Sequence, residues 1–162
     1  MTDPCRIRPA QEADVDWLAD CARAMAQETE HKTLDPVIVR AGIAAGIADA
    51  GKARYFIAMH DARLAGTETV GIAVGTLMLT CEWSDWRNGD WWWIQSVYVA
   101  PAQRRRGVFA ALYRHVEALA RATDGVVGLR LYVEKQNEAA QRVYAGLGMG
   151  DAGYRMFEQS FV

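Results

Sequence analysis

The chain is poor in several things, and each shortage removes a class of explanation. Among its 162 residues are 3 cysteines and 4 prolines. Cys5, Cys21 and Cys81 are odd in number, far apart and without CxxC spacing. That excludes a disulfide framework and predicts a reduced, cytoplasmic chain whose thiols are buried or half-buried core groups. They also lack a triad partner pattern, so no cysteine acyl-enzyme is expected. No metal cluster is visible in the sequence. No apolar run approaches the roughly 20 residues that a bilayer span needs, and the N-terminal MTDPCRIRPA is polar, without the apolar stretch of a secretion signal. An excess of one charge is missing as well. With 18 Lys and Arg against 20 Asp and Glu, the net charge is −2 and the pI about 5.9, which argues against a nucleic-acid or membrane-surface binder. Repeats, low-complexity tracts and linkers are absent too. The expectation is one domain over residues 4–162, burying about 70% of its unfolded surface.

What is present reads as alternating elements. CRIRPA (5–10) suits a short strand. From Glu12, Trp17, Leu18, Cys21 and Met25 fall on one helical face to about Ala26. Asp35 and Pro36 form a helix start, cap then first position, with Val39, Ile43 and Ile47 repeating until Gly51 closes it. ARYFIAMH (53–60), a turn region 61–68 and VGIAVGTLMLTC (70–81) follow. Asn88 and Gly89 then signal a hairpin into WWWIQSVYV (91–99). Phe109, Leu112, Tyr113, Val116, Leu119 and Ala120 mark the next helix face; LRLYV (129–133) is a strand. Asn137 can cap a helix ending at Gly148, and YRMFEQSFV (154–162) alternates like a last strand. A strand, helix and strand over 91–133 make a right-handed βαβ crossover, so those two strands should run parallel in a mixed sheet.

Within that crossover stands PAQRRRGVFAAL (101–112), three arginines running into a glycine and then a helix. Such a loop aims unbonded backbone N–H groups at whatever lies above the strand, and the helix dipole favours an anion there. Gly107 removes the side chain that would block approach. The loop is no Walker motif, since no GK[ST] follows, and no dinucleotide fingerprint, since the glycines of GxGxxG are missing. It reads as a local phosphate cradle.

VYVAPAQRRRGVFAALY (97–113) and LYVEKQNEAAQRVYAGLGM (131–149), in this order and spacing, resemble the two signatures of the GNAT family of acyl-CoA-dependent N-acyltransferases. In the first, Arg104 and Gly107 take the first and fourth positions of [RQ]xxGx[GA], while the sixth is Phe109 where the pattern has Gly or Ala. The resemblance implies an α/β fold, a mixed sheet splayed between strands 91–99 and 129–133 and flanked by helices on both faces. It implies acetyl-CoA as co-substrate and a primary amine, small-molecule or peptide, as acceptor. The backbone of the Val97, Tyr98, Val99 strand would hold pantetheine. Arg104, Arg105, Arg106, Gly107, Val108, Phe109 and Ala110 would hold the pyrophosphate. Asn137 would touch the pantetheine arm or cap its helix, and Tyr144 would protonate the departing CoA thiolate.

A lysine-like amine is neutral only about once in 2,500 molecules at pH 7, a deficit of about 4.6 kcal/mol, so a base is wanted. Strand 91–99 itself carries no carboxylate; Glu82, and Glu28 or Glu30 at the end of the first helix, are the candidates, with His31 as a further one. CEWSDWRNGDWWW (81–93) mixes aromatics and carboxylates, as a pocket for an organic cation would, with Trp83, Trp86 and Glu30 as acceptor contacts. A homodimer is a common outcome for such a chain. A non-catalytic acyl-CoA-binding module of the same fold is the rival reading. A nucleic-acid binder built on the arginines is opposed by the acidic pI.

Overall fold

The computed structural model describes residues 5–63 and 69–161, so most of the turn expected at 61–68 lies outside the described residues. The chain divides at Leu131 into two compact units. The first holds a five-stranded sheet in chain order, β1 (Arg6–Pro9), β2 (Arg54–Arg63), β3 (Thr69–Ser84), β4 (Gly89–Val99) and β5 (Val126–Leu131). The first four strands pair antiparallel and β4 pairs β5 in parallel. Parallel neighbours need a crossover, and α3 (Val108–Arg121) supplies it.

Helices cover both faces. A short 3-10 turn, Glu12–Asp14, leads into α1 (Val15–Glu30), and α2 (Pro36–Ala48) follows. Val15, Leu18 and Ala19 of α1 and Ile43 of α2 bury against Ile57 and Met59. The intervening residues of β2 face the other way, where the Phe56 ring meets His115 of α3 edge-on at 5.3 Å. β2 is thus buried on both sides, with Ile57 and Ala58 fully enclosed, each large side chain contributing about 1.5–3 kcal/mol. At the entry to α1, Asp14 accepts from both terminal nitrogens of Arg8 at 2.7 and 2.8 Å and from the Gln11 N–H at 2.7 Å. Those bonds to Arg8 hold its carboxyl below the usual range. Asp35 caps α2 through the N–H groups of Val37 and Ile38, as the sequence predicts.

Several expectations are corrected. α2 stops at Ala48 rather than Gly51, because Asp49 turns to extended backbone and accepts from the Gly51 N–H and Lys52. Residues 85–88 form the hairpin turn, and Gly89 is already strand, closing against β5 so tightly that a Cβ there would lie 2.5 Å from the Gly125 carbonyl oxygen. Val108, not Phe109, leads the buried stripe of α3. Cys81 is exposed, whereas Cys21 is buried. β5 starts three residues earlier than the expected 129–133 and ends two residues earlier, since its pairing with β4 begins at Asp90 and ends at Ile94.

The second unit contains α4 (Glu138–Gly146). Residues 151–161 form neither helix nor strand. Alternating residue types in YRMFEQSFV mark two faces, but they do not supply the backbone ladder that makes a strand. No helix among the described residues is long and apolar enough to cross a membrane.

Candidate functional site

The site begins where β4 changes neighbours. Its pairing with β5 ends at Ile94 and Leu131. At the next residue the β3–β4 register shifts, Ile94 facing Leu79 but Ser96 facing Met78. Gln95 is therefore the extra residue of a bulge, its amide nitrogen bonded to Thr80 Oγ1 at 2.8 Å. A bulge bends its strand and sharpens the twist, and here it coincides with the end of the parallel ladder. Beyond it, residues 95–99 keep β3 on one side and have no β5 partner on the other. The Ala100 N–H donates to Val74 of β3, so by alternation the peptide groups of Val97 and Val99 point to the open side. No sequence signal announced the bulge, because Gln95 is neither glycine nor proline.

This open edge runs directly into the arginine loop. Arg105 has φ 61° and Gly107 φ 83°, both left-handed. α3 starts at Val108 without a side-chain cap, and its first intrahelical bond is Ala111 N–H to the Gly107 carbonyl. The backbone N–H groups of Arg105, Arg106, Gly107, Val108 and Ala110 accordingly have no backbone acceptor among the described residues. Consecutive amides in such turns make anion-binding concavities, aided by the helix dipole. A Cβ built on Gly107 would meet nothing within 4 Å, so the space over the loop is open. A diphosphate fits this donor set. Phe109 runs along α3 with its ring 6.2 Å from that of Tyr113.

The three arginines do different things. Arg104 turns away from the loop: its Nε donates to the Val99 carbonyl at 3.0 Å and its Nη2 to Glu28 at 2.5 Å. Its guanidinium also lies 5.7 Å from the Tyr98 ring. It staples the end of β4 to the end of α1 and occupies the Val99 carbonyl that the resemblance assigns to pantetheine. Arg106 donates to Gln103. Arg105 is exposed.

The face of β4 that carries Ser96 and Tyr98 floors a cavity of about 280 Å³ beneath α1 and α2. Met78 and Tyr55 extend the floor, and Cys21, Met25, Leu34 and Ile43 form walls. Burial pushes the Cys21 thiol up to about 12, and the Asp20 charge acts in the same direction, so this wall is neutral. The Tyr98 hydroxyl reaches Glu28 Oε1 at 3.4 Å; burial first, then the Glu28 charge, raises the phenol. The sequence named Tyr98 for its backbone only. A tyrosine alternating between valines at the end of a strand was the available hint that its side chain serves a different face.

The two carboxylate candidates part company. Glu28 sits beside the Tyr98 hydroxyl, behind the side chain that floors this cavity. Glu82 lies opposite Trp91, four residues along β3 from Met78, roughly 13 Å away at strand rise. Both its oxygens are taken, one by Arg130 at 2.9 Å and one by the Trp93 indole at 2.7 Å. Arg130 also stacks 4.0 Å over Trp91, and Arg54 lies 3.7 Å over Trp92. Trp91, Trp92 and Trp93 thus each face an arginine of the chain itself. Trp83 and Trp86 are exposed on strand and turn. Glu30 pairs with Lys32 at 2.6 Å, and His31 is the left-handed cap of α1. Among the described residues, no group of His, Cys, Asp and Glu could hold a metal ion.

In the second unit, Asn137 does cap α4, accepting from the Ala140 N–H at 3.0 Å. Tyr144 is half-buried on that helix, and desolvation raises its phenol.

Comparison with known proteins agrees with this layout. Residues 15–149 match the model of the acetyltransferase (GNAT) family. A protein of Clostridium difficile 630, described as "a possible acetyltransferase", superposes with a TM-score of 0.85 at 36% identity, over 99% of each chain. A ribosomal-protein-alanine N-acetyltransferase of Brucella melitensis biovar Abortus 2308 shares the fold at 16% identity, TM-score 0.69, covering 97% of this chain and 99% of its own. So does an aminoglycoside acetyltransferase from an uncultured soil metagenomic sample, solved with sisomicin, at 13% identity, TM-score 0.72, covering 98% and 97%. No curated protein matches the sequence.

Proposed function

The chain belongs to the acetyltransferase (GNAT) family and is a transferase; we propose that, with 4–162 acting as one domain, it moves the acetyl group of acetyl-CoA directly onto a primary amine. The observation that carries this reading is the β4 edge released beyond Ile94, which runs without interruption into the amide-lined loop before α3. An extended pantetheine can add to such an edge as a strand would, through the outward peptide groups of Val97 and the Val99 N–H. The loop amides from Arg105 to Ala110 then face the pyrophosphate, with Arg105 screening it from outside. Acetyl-CoA supplies an activated acyl group; the residues supply placement and protons.

Glu28 takes the amine proton in this scheme. Glu82 is spent on Arg130 and Trp93, whereas among the described residues Glu28 Oε1 has only the long contact to Tyr98. Tyr144 gives a proton to the departing sulfur. Its desolvated phenol stays protonated, the state that a general acid requires. The three free cysteines suit a reducing, cytoplasmic setting.

The test is CoA release over a panel of amines, with acetyl-CoA hydrolysis as background, for the parent and Tyr144→Phe. Removing one oxygen should leave acetyl-CoA affinity near the parent's while kcat falls by about 10²–10⁴, the usual worth of a general acid. A stable Tyr144→Phe protein with full activity would remove Tyr144 from the scheme. A parent that binds acetyl-CoA and acetylates no amine would favour the non-catalytic module instead.

A further inference from the structure

Resting on that acetyltransferase reading, we infer that the acceptor is an amine carrying a single apolar chain, which fills the cavity beneath α1 and α2, and that Gly42 sets how large the chain can be. β4 ties the cavity to the chemistry. Its outward peptide groups at Val97 belong to the donor edge, while the side chains of its neighbours Ser96 and Tyr98 floor the cavity. A chain lying there brings its nitrogen to the strand that holds the thioester. The walls are thioether, thiol and aliphatic, and no Asp, Glu, Lys or Arg lines them. One carboxylate, Glu28, stands behind the Tyr98 hydroxyl, and half of it belongs to Arg104. That arrangement suits one ammonium group and leaves the several of an aminoglycoside without partners.

α2 carries the independent observation. It has two interior glycines, each costing about 1 kcal/mol against alanine in a helix. Gly46 has a steric reason, since a Cβ there would press on the Tyr55 ring at 3.1 Å. Gly42 has none: the position is exposed at the mouth of the cavity, and a Cβ would meet nothing within 4 Å. Yet Gly42 lies on the α2 face of Val39, Ile43 and Gly46 and lines the cavity. A helix position kept bare over an open cavity, with no protein atom needing the room, leaves that room for an occupant.

The experiment measures kcat/KM for propylamine through octylamine, 2-phenylethylamine, ethanolamine and spermidine, in the parent and in Gly42→Leu. In the parent, kcat/KM should climb about threefold to fourfold per methylene until the cavity is full, with 2-phenylethylamine far above ethanolamine and spermidine. In Gly42→Leu the octylamine-to-propylamine ratio should collapse by tenfold or more, with acetyl-CoA affinity unchanged and melting temperature not lowered. A flat chain-length series, a preference for spermidine, or a ratio untouched by Gly42→Leu would overturn the inference while leaving the acetyltransferase reading standing. Binding is read separately, from the Met25 and Met78 methyl signals titrated with octylamine. Saturating shifts in the parent that Gly42→Leu abolishes support the cavity assignment even if no amine is turned over. Absence of shifts in the parent overturns it.

Discussion

Replacing Gly107 by alanine separates the cost to the fold from the cost to the ligand. The residue holds φ 83°, and a Cβ added there meets no protein atom within 4 Å. The folding penalty is therefore backbone strain alone, about 1–2 kcal/mol for a left-handed L-residue, offset by about 0.4–1 kcal/mol from a less free unfolded chain. A net loss near 1 kcal/mol lowers the melting temperature by about 2–4 °C in a chain of this length. The ligand suffers differently. The methyl projects into the open space over the loop, where the neighbouring amides would meet a phosphate. Losing one hydrogen bond to a charged group costs about 1.5–3 kcal/mol, so the acetyl-CoA dissociation constant should rise about tenfold to a hundredfold. Arg105→Ala is the contrast. The side chain is exposed, and a screened surface contact of about 0.2–1 kcal/mol changes affinity by no more than about fivefold. Titration calorimetry of acetyl-CoA into the parent and both variants, with melting curves alongside, reads all of these quantities. A Gly107→Ala protein that melts a few degrees lower yet binds acetyl-CoA like the parent would refute the cradle.

Two further outcomes are expected. Glu28→Gln should depress turnover at least tenfold near neutral pH and recover much of that loss as pH rises towards the amine's own pKa, because solvent then supplies neutral amine; a loss that is equal at every pH would make Glu28 an anchor for Arg104 rather than a base. Asp14→Asn should cost about 1.5–3 kcal/mol at pH 7 by breaking the paired bonds to Arg8. Because the carboxyl is depressed in the folded state, its stabilisation is present above the ordinary carboxylate pKa and is lost as pH falls through the lower folded value. The gap in melting temperature between parent and variant should therefore close below about pH 4, and a constant gap would refute the ion-pair account.

How far the sequence could be read depended on whether a signal was local. Asp35 before Pro36 and Asn137 before α4 act through backbone two or three residues away, Gly107 before α3 through its own φ, and each conformation is as its neighbours imply. The order of strands and the parallel β4–β5 pair followed from helix and strand periods plus the handedness of crossovers. The alternation in 154–162 misled because period two describes faces and is silent about a partner ladder. The bulge at Gln95 could not be foreseen for a related reason. It exists only relative to β3, where two residues of β4 stand against one step of Met78 to Leu79.

Arg104 shows the same limit at the site itself. Its place in the motif was visible, and the motif assigned it to phosphate. Its partner is 76 residues earlier in the chain, at the end of a helix whose length could not be read to within four residues, since α1 runs to Glu30 rather than Ala26. Only the packing of α1 on the sheet brings Glu28 to the end of β4. Once there, the pair joins the end of β4 to the end of α1. Arg104 holds the Val99 carbonyl on one side and Glu28 on the other, and Glu28 in turn meets the Tyr98 hydroxyl beside the cavity. Arg104 is thus committed to this tie, while the amides that follow it have no backbone acceptor among the described residues, and this is why the affinity of the loop is expected to rest on its amides.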